Sequence, residues 1–374
     1  MTTQNLSCDA VTGITNAWYN QLCNSLHLPV SNFQLTLPVG TPASDEALWT
    51  YLNLIPPPTL KFNYWYYSQP TFFSQYAAIV NQLQFPESSF QKDIGKSTYT
   101  KWNSYLKSLP QPPPVNTLPT VWFQWAMMNA PTVANIGRSD LSCELLIKSA
   151  QAGLAPYQGA NAILPEFSPS LASLTTTLQA SPATNFSFST SDANPDVTNS
   201  WVPGNDPSFF GIYTGSWCGF LINQKFAQSS ITLSVAFEHF AVVTVTPGDW
   251  YNSGLLNLAF ASKATPPWTS ATGWEAYFGA NATFNYAISA VLAVDGISLT
   301  LTSDAGFTSE EQAIIKSQIG AGYWPLYGGQ LSPIITNEIS FDSGNMTIKC
   351  NTEPGHPILI GNNVVKINQY LGRS

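Results

Sequence analysis

The sequence predicts an α+β fold, with a helical N-terminal part packed on a mainly antiparallel β C-terminal part. In residues 1–158 the apolar side chains recur three and four positions apart, which is the period of amphipathic helices. In residues 159–374 they alternate with polar ones, which is the period of strands. Because helices precede strands and do not alternate with them, a parallel βαβ sheet is not expected. We therefore predict a proline-punctuated helical part over 1–158 and an acidic β-rich part over 159–374.

The predicted helices of the first part are bounded by N-cap residues and by proline or glycine. They run from Ser7 to Pro29, from Ser44 to Pro56, over 76–83, 99–109 and 121–128, and from Ser139 or Asp140 to Gly153. The prolines of "QPPPVNTLP" predict an extended connection between two of these helices.

The second part contains several alternating segments and one helix near 309–319. The predicted strands are "NFSFSTS", "GSWCGFLI", the run from Ile231 to Val245, two strands in "FNYAISAVLAVDGISLTLT" and two in "NEISFDSGNMTIKC". Asp295-Gly296 is a dipeptide typical of type I′ hairpin turns, and Ser343 to Asn345 predict a second turn. Thr308 and Glu311 match a capping box at the start of the single helix.

Charge is scarce along the whole chain. Only 9% of the 374 residues are charged and the net charge is −8, whereas about 25% is usual in soluble proteins. No basic stripe is present, so the sequence argues against binding to nucleic acid and against polybasic attraction to anionic lipid. The glycine-rich loops that bind nucleotides are missing as well, and no cofactor is expected.

Cysteine spacing and the N-terminus give further expectations. The five cysteines form no CxxC pair, so neither a disulfide framework nor a zinc site is predicted. The first residues lack the basic and apolar regions of a signal peptide, and the longest apolar run is shorter than the ~20 residues of a membrane helix. The expected location is therefore the cytoplasm, or outside the cell after release by a route without a signal peptide.

His239 is the candidate catalytic residue, because it lies on the apolar, odd-numbered face of the strand that starts at Ile231. The apolar residues move to even numbers beyond Glu238, so a bulge or bend is predicted there. If the protein is an enzyme, His239 is the general base and Glu238 or Asp249 orients it. The alternative, which we favour, is a hydrogen-bonded structural histidine. No metal site is predicted, since the three histidines lack ligand spacing.

Clustered Tyr and Trp residues are the candidate ligand-binding groups, because they combine a flat apolar ring with one polar atom. "FNYWYYSQPTFF" holds seven aromatic residues, and further Trp and Tyr side chains lie beside glycines. The candidates are Tyr64, Trp65, Tyr66, Tyr67, Trp217, Trp250 and Tyr251. The alternative is that these rings fill the core.

Three functions follow from these patterns. Strands in which Ser and Thr alternate with apolar residues are typical of a membrane-acting, toxin-like or pore-forming protein, or of a surface-interaction protein. This interpretation ranks first. A glycan-binding module with Trp and Tyr platforms ranks second. An enzyme or a binder of a small apolar molecule, with a pocket at the helix–sheet junction, ranks third. Membrane lipid, glycan and a small apolar ligand are thus the alternative partners, and the sequence leaves the oligomeric state open.

Overall fold

The computed structural model describes residues 17–39, 42–56, 70–189, 217–280, 282–317 and 334–373. The chain has the α+β architecture predicted from the sequence, with helices and an antiparallel sheet. It divides into two compact units. The sheet unit comprises Met1–Gln69, Phe167–Thr246 and Tyr286–Val365, and the helical unit comprises Pro70–Glu166, Pro247–Asn285 and Lys366–Ser374. The division predicted near residue 158 is not tested by this partition and stays a prediction.

The sheet unit is organised around one seven-stranded antiparallel sheet. Its strands are β1 (Phe33–Val39), β3 (Thr184–Ser189), β4 (Ile231–Thr244), β6 (Tyr286–Ser303), β7 (Ile335–Asp342), β8 (Asn345–Thr352) and β9 (Ile358–Lys366). The short strands β2 (Phe167–Ser168) and β5 (Thr246–Pro247) lie outside this sheet. Strand β6 is central, with β4 and then β3 on one side. Two strands, β9 and β8, pair with the other edge of β6. Strand β1 lies beyond β9, and strand β7 lies beyond β8.

The long strands β4 and β6 exchange their two faces at one point. Before that point the core holds odd-numbered residues of β4 up to Phe237, and after it the core takes the even-numbered Phe240. In β6 the core residues change in the same way, from Ile297 to Val294. The register stays constant across the exchange, and only the position of Glu238 and Gly296 lacks a regular pair. The irregularity predicted beside Glu238 is therefore a face exchange with one unpaired residue on each strand, and the constant register excludes an extra residue in β4.

One face of the sheet is covered by three helices. They are α1 (residues 17–25), α9 (Trp217–Gln228) and α12 (Ser309–Ser317), and their apolar side chains share one core with β3, β4, β6, β8 and β9. The Lys225 ammonium donates to the Glu311 carboxylate at 2.7 Å and links α9 to α12. The remaining helices of this unit are α2 (Asp45–Leu52) and α8 (Leu171–Gln179). Helix α8 contacts β4 and β6.

The helical unit contains eight α-helices among its described residues and three short 3-10 turns. The helices are α3 (Phe72–Asn81), α4 (Glu87–Ile94), α5 (Lys96–Ser108), α6 (Leu118–Asn129), α7 (Ala134–Leu154), α10 (Ser253–Ala261) and α11 (Gly273–Phe278), with the short α13 (Ile367–Tyr370) at the end. The 3-10 turns are Val115–Thr117, Pro131–Val133 and Ala155–Tyr157. Trp102, Trp122 and Trp125 form an aromatic core in which neighbouring ring centroids are 5.2–5.4 Å apart.

The turn predicted at Asp295-Gly296 is wrong, because β6 runs through this dipeptide without reversing. Gly296 does adopt the left-handed backbone of a turn residue, with φ +59°. Strand β4 nevertheless pairs with β6 on both sides of it in one register. Long-range pairing therefore overrides the local turn signal, and the left-handed residue produces the face exchange instead.

The strand predicted for "GSWCGFLI" is also wrong, since Trp217 to Ile222 start the helix α9 and the first two residues lie outside the described residues. Ile222 and Phe226 are four positions apart and both are buried in the core of the sheet unit. Phe226 lies beyond the predicted strand, so the helical spacing becomes visible only when the segment is extended past Ile222.

Several local predictions are confirmed. Ser44 caps α2 by accepting a hydrogen bond from Ala47 N. Thr308 and Glu311 form the reciprocal capping box of α12. The hairpin turn at Ser343 joins β7 and β8. Each of these signals lies within a few residues of the structure that it specifies.

Candidate functional site

His239 lies in β4 just beyond the face exchange and is half-buried. Its Nδ1 atom is 2.9 Å from the carbonyl oxygen of Ser181, which follows α8. A carbonyl can only accept, so Nδ1 carries the proton and donates it. In the neutral ring Nε2 is then the acceptor. This hydrogen bond fixes the ring against the turn after α8.

The two carboxylates proposed to orient His239 belong to different units of the fold. Glu238 is exposed, and its side chain lies directly over Gly296. Asp249 belongs to the helical unit, where its backbone N–H donates to Glu166 Oε1 at 3.0 Å. Among the described residues, the hydrogen bond of the His239 ring goes to a backbone carbonyl and not to a carboxylate. The catalytic assignment of His239, with Glu238 or Asp249 orienting it, stays a prediction.

Asp295 is directly opposite His239 in the register of β4 and β6, and it is only 3% exposed. Its carboxylate accepts hydrogen bonds from the backbone N–H groups of Gly296, Gly355 and His356 at 2.9, 2.8 and 3.2 Å. Gly355 and His356 lie in the loop between β8 and β9. Asp295 therefore anchors this loop to the central strand, a role that its turn-like sequence concealed.

The predicted aromatic ligand-binding residues fall into two groups. Tyr64, Trp65, Tyr66 and Tyr67 lie outside the described residues, and so does the side chain of Trp217 at the start of α9. Trp250 and Tyr251 lie in the helical unit.

Trp250 and Tyr251 belong to an aromatic cluster inside the helical unit. Trp250 is 1% exposed and donates from Nε1 to the carbonyl oxygen of Glu166 at 2.8 Å. The Tyr251 ring centroid is 5.1 Å from that of Tyr76, and burial raises the pKa of Tyr76 to about 12. Burial also raises the pKa of Tyr251. Trp250 offers no open ring face to a ligand, and both rings contribute to packing.

An extended polar arrangement lies on the face of the sheet opposite the core of the sheet unit. Five adjacent strands, β3, β4, β6, β8 and β7, present side chains there that are exposed or half-exposed. We call this the polar sheet face, and define it by Asn185, Ser187, Ser189, Thr232, Ser234, Ala236, Ser298, Thr300, Thr302, Thr336, Glu338, Ser340, Thr347, Lys349 and Asn351.

Strand register aligns these side chains in three rows that cross all five strands. The hydroxyl row consists of Ser189, Thr232, Thr302, Thr347 and Ser340. The mixed row consists of Ser187, Ser234, Thr300, Lys349 and Glu338. The amide row consists of Asn185, Ala236, Ser298, Asn351 and Thr336. Neighbouring strands are about 4.8 Å apart, so one row of five residues is about 19 Å long.

Charge within the three rows is confined to one end of the mixed row. Lys349 and Glu338 are cross-strand partners there, and opposite charges in this arrangement favour strand pairing. Asp342 adds one more carboxylate at the hairpin end of β7. Eight hydroxyl side chains of the hydroxyl and mixed rows form an uncharged tract beside them. Each hydroxyl both donates and accepts a hydrogen bond.

The sequence indicated this face only as alternation within single strands. Alternation places Thr232 and Ser234 on one side of β4, but it does not place Thr302 beside Thr232, since these residues are far apart along the chain. The register that aligns them is a property of the folded sheet.

The described residues were also compared with the requirements of a metal site and of a membrane-spanning helix. No group of three or more His, Cys, Asp or Glu side chains within those residues is arranged to hold a metal ion. The helices in the same residues are too short or too polar to cross a membrane. Comparison of the chain with protein-family models, with curated proteins and with solved structures finds no match.

Proposed function

We propose that this is a surface-interaction protein whose polar sheet face binds glycans. The observation that supports this proposal is the uncharged tract of eight hydroxyl side chains in the hydroxyl and mixed rows. A sugar ring carries hydroxyl groups that also both donate and accept, so its chemistry matches that of the tract. One such hydrogen bond contributes about 0.5–1.5 kcal/mol, and several acting together give useful affinity.

The charge of the molecule favours neutral glycans. The net charge is −8, and the three rows carry one lysine against one glutamate, with the Asp342 carboxylate beside them. Sulfated or uronic-acid polysaccharides would meet no basic cluster on this face. Neutral polysaccharides require none.

A membrane-acting function is less well supported by the same strands. Their apolar side chains share a core with α1, α9 and α12, so contact with lipid tails would require these helices to leave the sheet. Glycan binding requires no such rearrangement, because the hydroxyl side chains are already accessible.

Retention on immobilised polysaccharides tests the proposal. The panel contains neutral mannan, xylan and β-glucan, with heparin and alginate as anionic members. We expect wild-type protein to be retained on at least one neutral polysaccharide and the triple variant Ser234→Ala, Thr300→Val, Thr302→Val to lose at least tenfold in affinity, since three hydrogen bonds are removed.

Thr244→Val is the matched control, because Thr244 is an exposed threonine of β4 outside the three rows. It should bind as the wild type does. Equal retention of the triple variant and the wild type would contradict the proposal. Absence of retention on every member of the panel, together with dye release from lipid vesicles, would instead favour the membrane-acting function.

A further inference from the structure

We infer that the polar sheet face takes a single polysaccharide chain lying across the strands, along the hydroxyl row of Ser189, Thr232, Thr302, Thr347 and Ser340. This inference rests on the proposed function and adds the form and the direction of the ligand. Its basis is the distribution of hydroxyl groups over the three rows.

The path across the strands is the longest uninterrupted path of hydroxyl groups on this face. It has a hydroxyl on every strand for about 19 Å. Paths along the strands are shorter. On β4 the series Thr232, Ser234 is followed by Ala236, and on β8 Thr347 is followed by Lys349. On β6 the series Ser298, Thr300 and Thr302 is the longest of these paths, and at about 14 Å it is still shorter than the hydroxyl row.

The mixed row beside this path distinguishes its two ends. Ser187, Ser234 and Thr300 extend the hydroxyl tract on the β3 side of the mixed row, whereas Lys349 and Glu338 end it on the β7 side. The amide row lies one row further away and is interrupted by Ala236. Contacts should therefore be concentrated on the hydroxyl row and on the uncharged part of the mixed row.

Sheet twist favours one flexible chain over a crystalline surface. Adjacent strands rotate by about 20–25° relative to each other, so the ends of a five-stranded row are rotated by roughly 90°. A planar crystal face would touch only part of such a surface. A single chain can follow the twist and contact each strand in turn.

Two matched double variants test the direction of the chain. Thr302→Val with Thr347→Val removes a cross-strand pair from the hydroxyl row, and Ser298→Ala with Asn351→Ala removes a pair from the amide row of the same two strands, β6 and β8. On the neutral polysaccharide that the wild type binds best, we expect about a tenfold loss of affinity for the first variant and less than a twofold loss for the second.

The measurement is calorimetric titration of the soluble polysaccharide, with circular dichroism to confirm that both variants are folded. Equal losses in the two variants would overturn the direction across the strands. Binding to an insoluble form without binding to the dissolved chain would overturn the single-chain ligand. Both results differ from failure of the proposed function, in which no polysaccharide is bound or the triple variant binds as tightly as the wild type.

Discussion

Asp140 in α7 is a carboxylate in an environment that does not compensate its charge. It is 8% exposed, and its Oδ2 atom has no hydrogen-bond partner among the described residues. Of the α-helices that pack against α7, α3, α6 and α10 contain no Asp, Glu, Lys, Arg or His, and α4 contains Glu87, Lys92 and Asp93. Burial, followed by the neighbouring Asp93 on α4, raises the pKa of Asp140 to about 6.

We predict that Asp140 makes the protein less stable as the pH rises. An unfolded aspartate has a pKa near 3.9, so between about pH 4 and pH 6 the folded chain binds more protons than the unfolded chain. The contribution of Asp140 is therefore favourable below pH 4 and is lost as the pH rises through 6. Asp140→Asn should gain up to about 3 kcal/mol of unfolding free energy at pH 7 and little at pH 4.

Urea unfolding at a series of pH values measures this difference between variant and wild type. Asp93→Asn is the control, because Asp93 is exposed and affects Asp140 only through its charge. It should give a smaller gain. The pKa of Glu311 is lowered, partly by Lys225, so the contribution of Glu311 to the stability of the protein is lost as the pH falls. Only the difference between variant and wild type isolates Asp140, and a difference independent of pH would contradict the prediction.

Residue-level prediction from sequence succeeded for caps and failed for side-chain environments. Ser44 and Thr308 were identified because a cap is defined by neighbours three residues away. For Asp295 the sequence predicts a turn, because Asp-Gly is a local turn signal. Its actual partners include the backbone N–H groups of Gly355 and His356, about sixty residues further along the chain. No local pattern carries that information.

At the scale of the elements, β4 and β6 depend on Gly296. This residue has φ +59°, and a Cβ atom added there would lie 2.6–2.7 Å from the Glu238 side chain. Gly306 has a similar φ of +65°, but a Cβ atom added there meets nothing within 4 Å. The two glycines thus separate the cost of the left-handed backbone from the cost of the contact.

We predict that Gly296→Ala destabilises the protein more than Gly306→Ala does. Both variants pay for the left-handed backbone, about 1–2 kcal/mol, and only the first displaces a neighbouring side chain. The difference in thermal or urea unfolding should be about 1 kcal/mol. Glu238→Ala in the Gly296→Ala background should recover part of this difference in stability, because it removes the Cγ and Cδ atoms of Glu238 that the added Cβ would meet. Identical stabilities of the two glycine variants would refute the steric contribution.

Element types were predictable where period and length agreed. Helices α2, α5 and α6 follow from periodicity, α2 also from its Ser44 cap, and the β7–β8 hairpin follows from alternation around a local turn. The 18 residues of β6 were divided in two because a strand of that length is rare and Asp295-Gly296 is a strong turn signal. Pairing with β4 on both sides of the dipeptide decided the outcome.

At the scale of the whole molecule, scarce charge determines how binding should respond to salt. A neutral ligand and a hydroxyl tract exchange few counterions, whereas contacts to anionic polymers weaken steeply as salt rises. We predict that affinity for the neutral polysaccharide changes less than about twofold between 50 mM and 500 mM NaCl. Titration at both concentrations measures it, and retention on an anion-exchange resin serves as the salt-sensitive control. A steep decline would point to Lys349 as the dominant contact.

The fold class followed from the order of helical and strand-like segments, but the partition of the chain did not. Each of the two units contains segments from three separate parts of the chain. Periodicity identifies elements one at a time and gives no signal for which distant segments pack together. The polar sheet face was hidden for the same reason, because its rows join residues from five strands.

The face exchange implies that Glu238 and Gly296 behave as one inserted pair. Deleting Glu238 alone would shift Phe240 and every later residue of β4 by one position against β6. Deleting Glu238 and Gly296 together would leave the register of both halves intact and would keep Phe237, Phe240, Ile297 and Val294 on the core side of two uninterrupted strands. Length changes in these strands are therefore tolerable only in couples, one residue in each strand at the same level.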